Sequence, residues 1–501
     1  MASEAPRKIL LKGGTLLLHN KDGHVSPAVS DLLIEDSTIV KIEADITAPS
    51  SDTKIIDCTN KIVSPGFIST HAHLWQTACK GAHPNHSFVE YMSSGNYISS
   101  VYTLEDAFWG ELAGALENID GGTTTVVDHS HLNLGPDYPK TAIQALVTSG
   151  LRTVYCYCPP RKVASWKPFT LNDTPVPDIM DEFKALAAAG PFGGTGGRVY
   201  MGFGMDNIYI GPLLKPQFEA LRAAPAAQLI TSHTTAGPAY KIPHGIALLD
   251  AQGLLGGDVL ISHSPYLTDA EIGRLGETGA FVSSTPNTEL QMGFEPVALR
   301  DGVRERASIG VDCHTWGTSY LPTQMTLLLQ ARRLMASNDL VREGRWSRHT
   351  AATAEDVFNL GTIGGARAAG LADQIGQLKV GFKADIAVFD ASSPGMLAAA
   401  TEDPVAAVVL HSSIRDVETV IVDGVLRKEG GKLLEMQVPE VDDVLKSEVV
   451  PTGKILSWSD IAAEILKSRE SIRGKLKGID FRHVEDTMIN MFYIDKQALV
   501  D

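Results

Sequence analysis

Two histidines, His71 and His73, sit one residue apart where an apolar run ends, in the stretch SPGFISTHAHLWQTACKG over 64–81. The break at Ser64-Pro65-Gly66 and the residues after it predict a short strand, in which positions i and i+2 point to one face. Two imidazoles projecting together from one element offer paired nitrogen ligands to a metal ion. Taken alone, such a pair also arises in surface loops. Other ionisable side chains repeat the placement: His129 and His131 end TTTVVDHSH, His233 ends QLITSH, His263 lies in DVLISHS, and Asp312 follows ASIGV. Random placement would scatter these groups along their elements, so their joint fall at strand ends points to a metal site.

The elements that must position them recur from residue 64 onward, each a short β-rich run followed by a helix-like stretch. The candidate strands are GFISTHAH, TTTVVDHSH, LRTVYCY, RVYMGFG, QLITSH, DVLISHS, AFVSSTP and ASIGVDCH. Eight parallel strands close a (β/α)8 barrel, which gathers catalytic groups at the C-terminal strand ends. Between them AIQALVTSG, IMDEFKALAAAG and AEIGRLGETG are apolar at helical spacing and end in glycine, as helices do. The run from Gly193 to Gly197 precedes a strand rather than a helix and reads as a loop.

Outside the barrel, residues 8–63 and roughly 376–437 read as short alternating strands with glycine turns. These flanks are expected to pair into one small β-sandwich. The organisation is therefore a discontinuous β-sandwich over 1–63 plus 373–440, a catalytic barrel over 64–372, and a helical extension over 441–501. The extension is assigned no role beyond packing or subunit contact.

A chain of 501 residues with 44% hydrophobic residues supports a large core, and its net charge of -16 argues against nucleic acid as a partner. The N-terminal MASEAPRKILLKGG lacks the apolar run of a secretion signal, and no segment reaches the length that crosses a bilayer. Five cysteines, an odd number in a long chain, argue against a disulfide framework and for a reducing, cytoplasmic compartment. The expected partner is a small molecule, without a membrane. A homodimer or higher homo-oligomer is the base expectation.

At these motifs the sequence resembles the amidohydrolase superfamily, in the branch of chlorohydrolases and aminohydrolases that includes triazine hydrolases and guanine and cytosine deaminases. Its carriers are SPGFISTHAH, GGTTTVVDHSH, LITSH, DVLISHS, SSTPNTELQMG, SIGVDCHT, and GFKADIAVFD with VIVDGV. The resemblance implies that His71, His73, His233 and Asp312 hold one divalent metal ion, zinc first, with iron or manganese also suited to these ligands. It also implies that His263 stands beside the metal-bound water. Binuclear relatives carry a modified lysine after the fourth strand; RVYMGFGMDN has none, so a single metal is expected.

One departure matters. Deaminases of the family place a glutamate three residues after the strand-five histidine, where this chain has Ala236. Glu289, in the loop after the seventh strand, is the proposed substitute and joins His263 and Asp312 as a catalytic candidate. Gln76, Trp75, His131 and Trp316 are the substrate-contact candidates, and a second metal beside His129 and His131 is not expected. The implied activity is hydrolysis of a non-peptide C–N bond in a small, cyclic or heteroaromatic molecule. Hydrolytic dehalogenation, a metal-assisted lyase or decarboxylase reaction, and a non-catalytic homologue are the alternatives. The last ranks lowest because every expected ligand is present.

Overall fold

The computed structural model describes residues 8–172, 179–194, 196–235, 237 and 239–500. Residues 1–7, Thr195 and Ala236, on which the sequence expectations also touch, lie outside the described residues.

Eight parallel strands form a closed barrel: β1 (Phe67–His73), β2 (Thr123–Ser130), β3 (Arg152–Tyr157), β4 (Val199–Gly204), β5 (Ala227–Thr234), β6 (Val259–His263), β7 (Phe281–Ser284) and β8, which is split into Ala307–Ile309 and Asp312–Cys313. The split closes the ring, since the first half of β8 pairs with β7 and the second half pairs with β1. Gly310 lies at the changeover, where a Cβ would sit 2.6 Å from the His71 carbonyl oxygen. Only glycine lets the two backbones approach so closely. Helices Asp137–Ser149 and Asp269–Thr278 end on Gly150 and Gly279, both in the left-handed conformation that glycine adopts without strain.

Alternation along the strands divides the packing. Val127, Val154, Leu229, Leu260 and Phe281 point into the barrel, where Ala366, Ala368 and Leu371 join them in one buried cluster. Their neighbours Val126, Tyr155, Ile230, Ile261 and Val282 face the surrounding helices. Strict period-two alternation fails in β1, whose register against β2 shifts between Ser69 and Ala72. Thr70, bonded to Ser283 and Ser308, and His71, bonded to Ser262, consequently both turn inward.

The two flanks pair as expected. Residues Lys61–Pro65 run antiparallel to Ile386–Asp390, with Ile386 opposite Pro65 and Asp390 opposite Lys61. Among the described residues, nine of the ten flank strands belong to one hydrogen-bonded ladder around a core that includes Ile9, Leu16, Ile34, Val63, Ile386 and Ile421, while Met436–Gln437 pairs with Ile455–Leu456. The ladder curls back on itself: the Ile39 N–H donates to the Phe382 carbonyl at 2.9 Å, and the Ala384 N–H to Ser37 at 2.9 Å. Ile386 and Val388 serve this core, whereas Ala387 and Phe389 on the opposite face join the barrel's cluster. One strand thereby welds the two parts.

An ion-pair latch completes the junction. Arg152 at the start of β3 is 1% exposed; its Nε donates to Asp385 Oδ2 at 2.8 Å and its Nη2 to Asp423 Oδ1 at 3.2 Å. Arg152→Ala leaves the buried Asp385 without its cation and Asp423 with only its longer contacts to Arg198 and Lys383, and is expected to cost about 3–5 kcal/mol. Thermal unfolding followed by circular dichroism checks this, and an unchanged midpoint would exclude the latch as a stabilising contact.

Candidate functional site

The C-terminal strand ends bring seven ionisable side chains together: His71 and His73 from β1, His129 from β2 with His131 just beyond it, His233 from β5, His263 from β6 and Asp312 from β8. Three of the rings are oriented by their Nδ1 atoms. His71 Nδ1 meets Ser262 Oγ at 2.8 Å, His73 Nδ1 donates to the His129 carbonyl at 2.6 Å, and His233 Nδ1 donates to Asp206 Oδ1 at 2.9 Å. A carbonyl or carboxylate only accepts, so His73 and His233 carry their neutral-form proton on Nδ1 and leave Nε2 as a lone pair.

Those lone pairs converge. His73 Nε2 and His233 Nε2 lie 3.3 Å apart, and Asp312 Oδ1 is 3.3 Å from His71 Nε2 and 3.1 Å from His73 Nε2. His71 Nε2 is buried without a hydrogen-bond partner. Two neutral nitrogens facing each other with lone pairs repel, whereas a cation between them satisfies both. Edges of about 3.0–3.4 Å are what ligands at about 2.1 Å from one ion subtend. Burial pulls His71 well below the ordinary imidazole range and brings His233 down to about 4, which keeps both in the neutral form that ligates metal. Burial opposes charge on Asp312, yet His71 and His73 hold its carboxyl well below the usual range.

His263 stands at the edge of this group. Its Nε2 is 3.8 Å from Asp312 Oδ2, while its Nδ1 faces Thr285 Oγ1 at 3.0 Å and Glu289 Oε1 at 3.4 Å. Burial lowers the His263 pKa, but Glu289 and Asp312 outweigh it and lift the ring above its ordinary value. Thr288 donates to Asp312 Oδ2 at 2.6 Å, one residue before Glu289 on the same short helix, Pro286–Met292. His263 and Asp312 hold left-handed backbone conformations, φ 73° and 61°, a strain tolerated where the surroundings over-determine it.

The other candidates separate. Glu289 lies behind His263 rather than on the open side, and its side chain is fully buried. Gln76 is committed to Tyr91, donating to its hydroxyl at 2.6 Å. Trp75 packs edge-on against Tyr102 in a closed cluster with Ala107, Leu132 and Ile472. Trp316 packs against Tyr91, with ring centroids 4.7 Å apart, beneath Val484 and Met488. Those last two belong to helix Arg482–Met491, so the C-terminal extension roofs the residues beside Asp312. All five cysteines are free and buried, and among the described residues no helix is long and apolar enough to cross a membrane.

Sequence reasoning missed Asp206. It lies two residues beyond β4, accepts from His233 and contacts His129 and His131, and its side chain is 34% exposed against 22% for His233. The signal was present in GFGMD: Gly202, Gly204 and Asp206 continue one period-two face past the strand end.

A parallel barrel with imidazole and carboxylate donors converging at its C-terminal rim defines a metal-dependent hydrolase. The chain belongs to the amidohydrolase family, whose model matches residues 62–204 and 230–427. A 5'-deoxyadenosine deaminase of Methanobrevibacter smithii is 26% identical over 422 residues, covering 82% of this chain and 91% of the relative. A 5-methylthioadenosine/S-adenosylhomocysteine deaminase of Thermococcus kodakarensis is 28% identical over 424 residues, covering 81% and 92%. Two solved structures share the fold. An atrazine chlorohydrolase of Arthrobacter aurescens complexed with zinc superposes with a TM-score of 0.73 at 20% identity, covering 92% of this chain and 100% of the other. An adenosine deaminase of Xanthomonas campestris with bound zinc gives 0.72 at 18% identity, covering 93% and 98%.

Proposed function

We propose that this chain is a metal-dependent aminohydrolase that replaces the exocyclic amine of a small nitrogen heterocycle with oxygen, releasing ammonia, and that 6-aminopurine nucleosides are the substrates to test first. The single observation that carries the reading is the convergence of the His71, His73 and His233 Nε2 atoms with Asp312 Oδ1, each ring turned by an outward Nδ1 contact. The substrate class is supported by the printed activities of the relatives.

These four side chains would hold one divalent ion, and the orphaned His71 Nε2 and the facing lone pairs fit that group. A divalent ion held there supplies Lewis acidity that makes a water deprotonable near neutral pH. Asp312 takes that proton on the carboxylate and delivers it to the departing amine. As the water oxygen adds to the ring carbon, the displaced electron pair moves to the adjacent ring nitrogen; His263, with Nε2 turned to the centre, gives that nitrogen a proton and regains one from the added hydroxyl as ammonia leaves. Glu289 and Thr285 fix the His263 ring from behind, a positioning role in place of the catalytic role expected from sequence. Tyr91, Trp316, Val484 and Met488 pack into one apolar cluster beside Asp312.

The test is a panel of 6-aminopurine nucleosides, aminotriazines and chlorotriazines incubated with metal-replete protein, with ammonia and chloride release measured. Ammonia from an aminopurine supports the reading. Chloride alone would turn it to dehalogenation, and neither product from any member would overturn hydrolysis of this substrate class.

A further inference from the structure

His129, His131 and Asp206 form a cluster of their own beside the centre described above. Asp206 Oδ2 lies 3.2 Å from His129 Nε2 and 3.0 Å from His131 Nε2, so two imidazoles from one strand face aim at a single carboxylate oxygen. Cys158 Sγ approaches the same oxygen at 3.5 Å. Three donors on one oxygen exceed what an acceptor of two lone pairs satisfies well. The far nitrogens give no relief: His129 Nδ1 and His131 Nδ1 are both buried without partners.

The spacing matches metal ligation. Bonds of about 2.1 Å place neighbouring ligand atoms about 3.0 Å apart at right angles and about 3.4 Å apart in a tetrahedron, and both contacts fall in that window. Two imidazoles and one carboxylate are the donor set of a borderline divalent transition ion. The backbone makes room for the cluster: a Cβ on Gly204 would lie 2.8 Å from His129 Nε2 and 2.6 Å from Cys158 Cβ. Asp206 is also the most exposed of these groups, which leaves coordination positions open toward the pocket. His233 stands between the two centres, Nδ1 toward Asp206 and Nε2 toward His73.

We infer that His129, His131 and Asp206 form a second binding site for a divalent first-row transition ion, next to the His71–His73–His233–Asp312 centre and open to the same pocket. The absence of a lysine after β4, from which a single metal is expected, does not bear on this site, because its carboxylate comes from Asp206 and its imidazoles from the end of β2. The inference stands apart from the choice of substrate.

Full-length, untagged protein stripped of metal would be titrated with Co²⁺ and Zn²⁺, with metal per chain measured by plasma mass spectrometry and the visible absorption of Co²⁺ followed in parallel. Two equivalents are expected for the wild type and one for His131→Ala and for Asp206→Ala, the remaining one being lost in His71→Ala. The Co²⁺ spectrum should change in shape, not only in amplitude, between the first and second equivalents. Saturation of the wild type at one equivalent would overturn the second site while leaving the hydrolase reading intact. Two equivalents that persist in His131→Ala and Asp206→Ala would overturn it as well. No bound metal at all would count against both. Should a variant fail to fold, the wild-type stoichiometry and spectral change still decide.

Discussion

Asp312→Ala is expected to lower kcat by about 10⁴-fold and to empty the first metal centre, because three functions end in one carboxylate. Its Oδ1 lies 3.3 Å from His71 Nε2 and 3.1 Å from His73 Nε2, so it supplies the only negative charge among those donors. Its Oδ2 accepts from Thr288 at 2.6 Å and faces His263, the geometry of a group that moves a proton within the pocket. Asp312→Asn separates these parts, since the amide keeps the shape and the Thr288 contact but loses the charge and the basic oxygen. Retained metal with a loss of about 10³-fold or more is expected for Asn, read by metal analysis and single-turnover kinetics. Either variant turning over at a tenth of the wild-type rate would remove Asp312 from the chemistry.

The second large effect concerns His263 and the carboxylate behind it. His263→Asn should cost about 10³-fold in kcat and Glu289→Gln about 10²-fold, both with metal content unchanged, because neither residue is among the four proposed ligands. The pH profile distinguishes positioning from contact. Burial alone would lower the His263 pKa, and Glu289 and Asp312 raise it instead, so the protonated ring persists to higher pH than a free imidazole. Removing the Glu289 charge withdraws part of that lift. The alkaline limb of kcat should then move to lower pH in Glu289→Gln, while KM changes little. A rise in KM without movement of that limb would mean that Glu289 contacts the substrate.

Much of the barrel was legible in the sequence. Each strand from GFISTHAH to ASIGVDCH falls where an apolar, β-branched run meets a turn residue, and these are local signals that tertiary packing reinforces. The strand-end histidines were legible for the same reason, since the C-terminal end of a parallel strand is a position that can be counted. The capping glycines at 150 and 279 followed from their place after periodic helices. Side-chain direction was less legible. Trp75, two residues past His73, turns back against Tyr102 because a short 3₁₀ segment begins directly after β1. Glu289 was expected to face the pocket, and the helical turn that starts at Pro286 points it at His263 from behind.

What the sequence by itself determined is the kind of molecule: a parallel barrel with metal-type donors at the strand ends and a β domain assembled from both flanks. These follow from periodicity and turn chemistry, which act over a few residues. What only the tertiary structure decided is which side chains meet. Asp206 joins His129 and His131, 77 and 75 residues earlier, and His233, 27 residues later, so no window of sequence contains the cluster. His71 turns inward because the β1–β2 register shifts, and the last helix reaches Tyr91 and Cys313 because β8 returns beside β1. Barrel closure sets these distances, and closure is a property of eight strands together, fixed by backbone pairing across the whole ring.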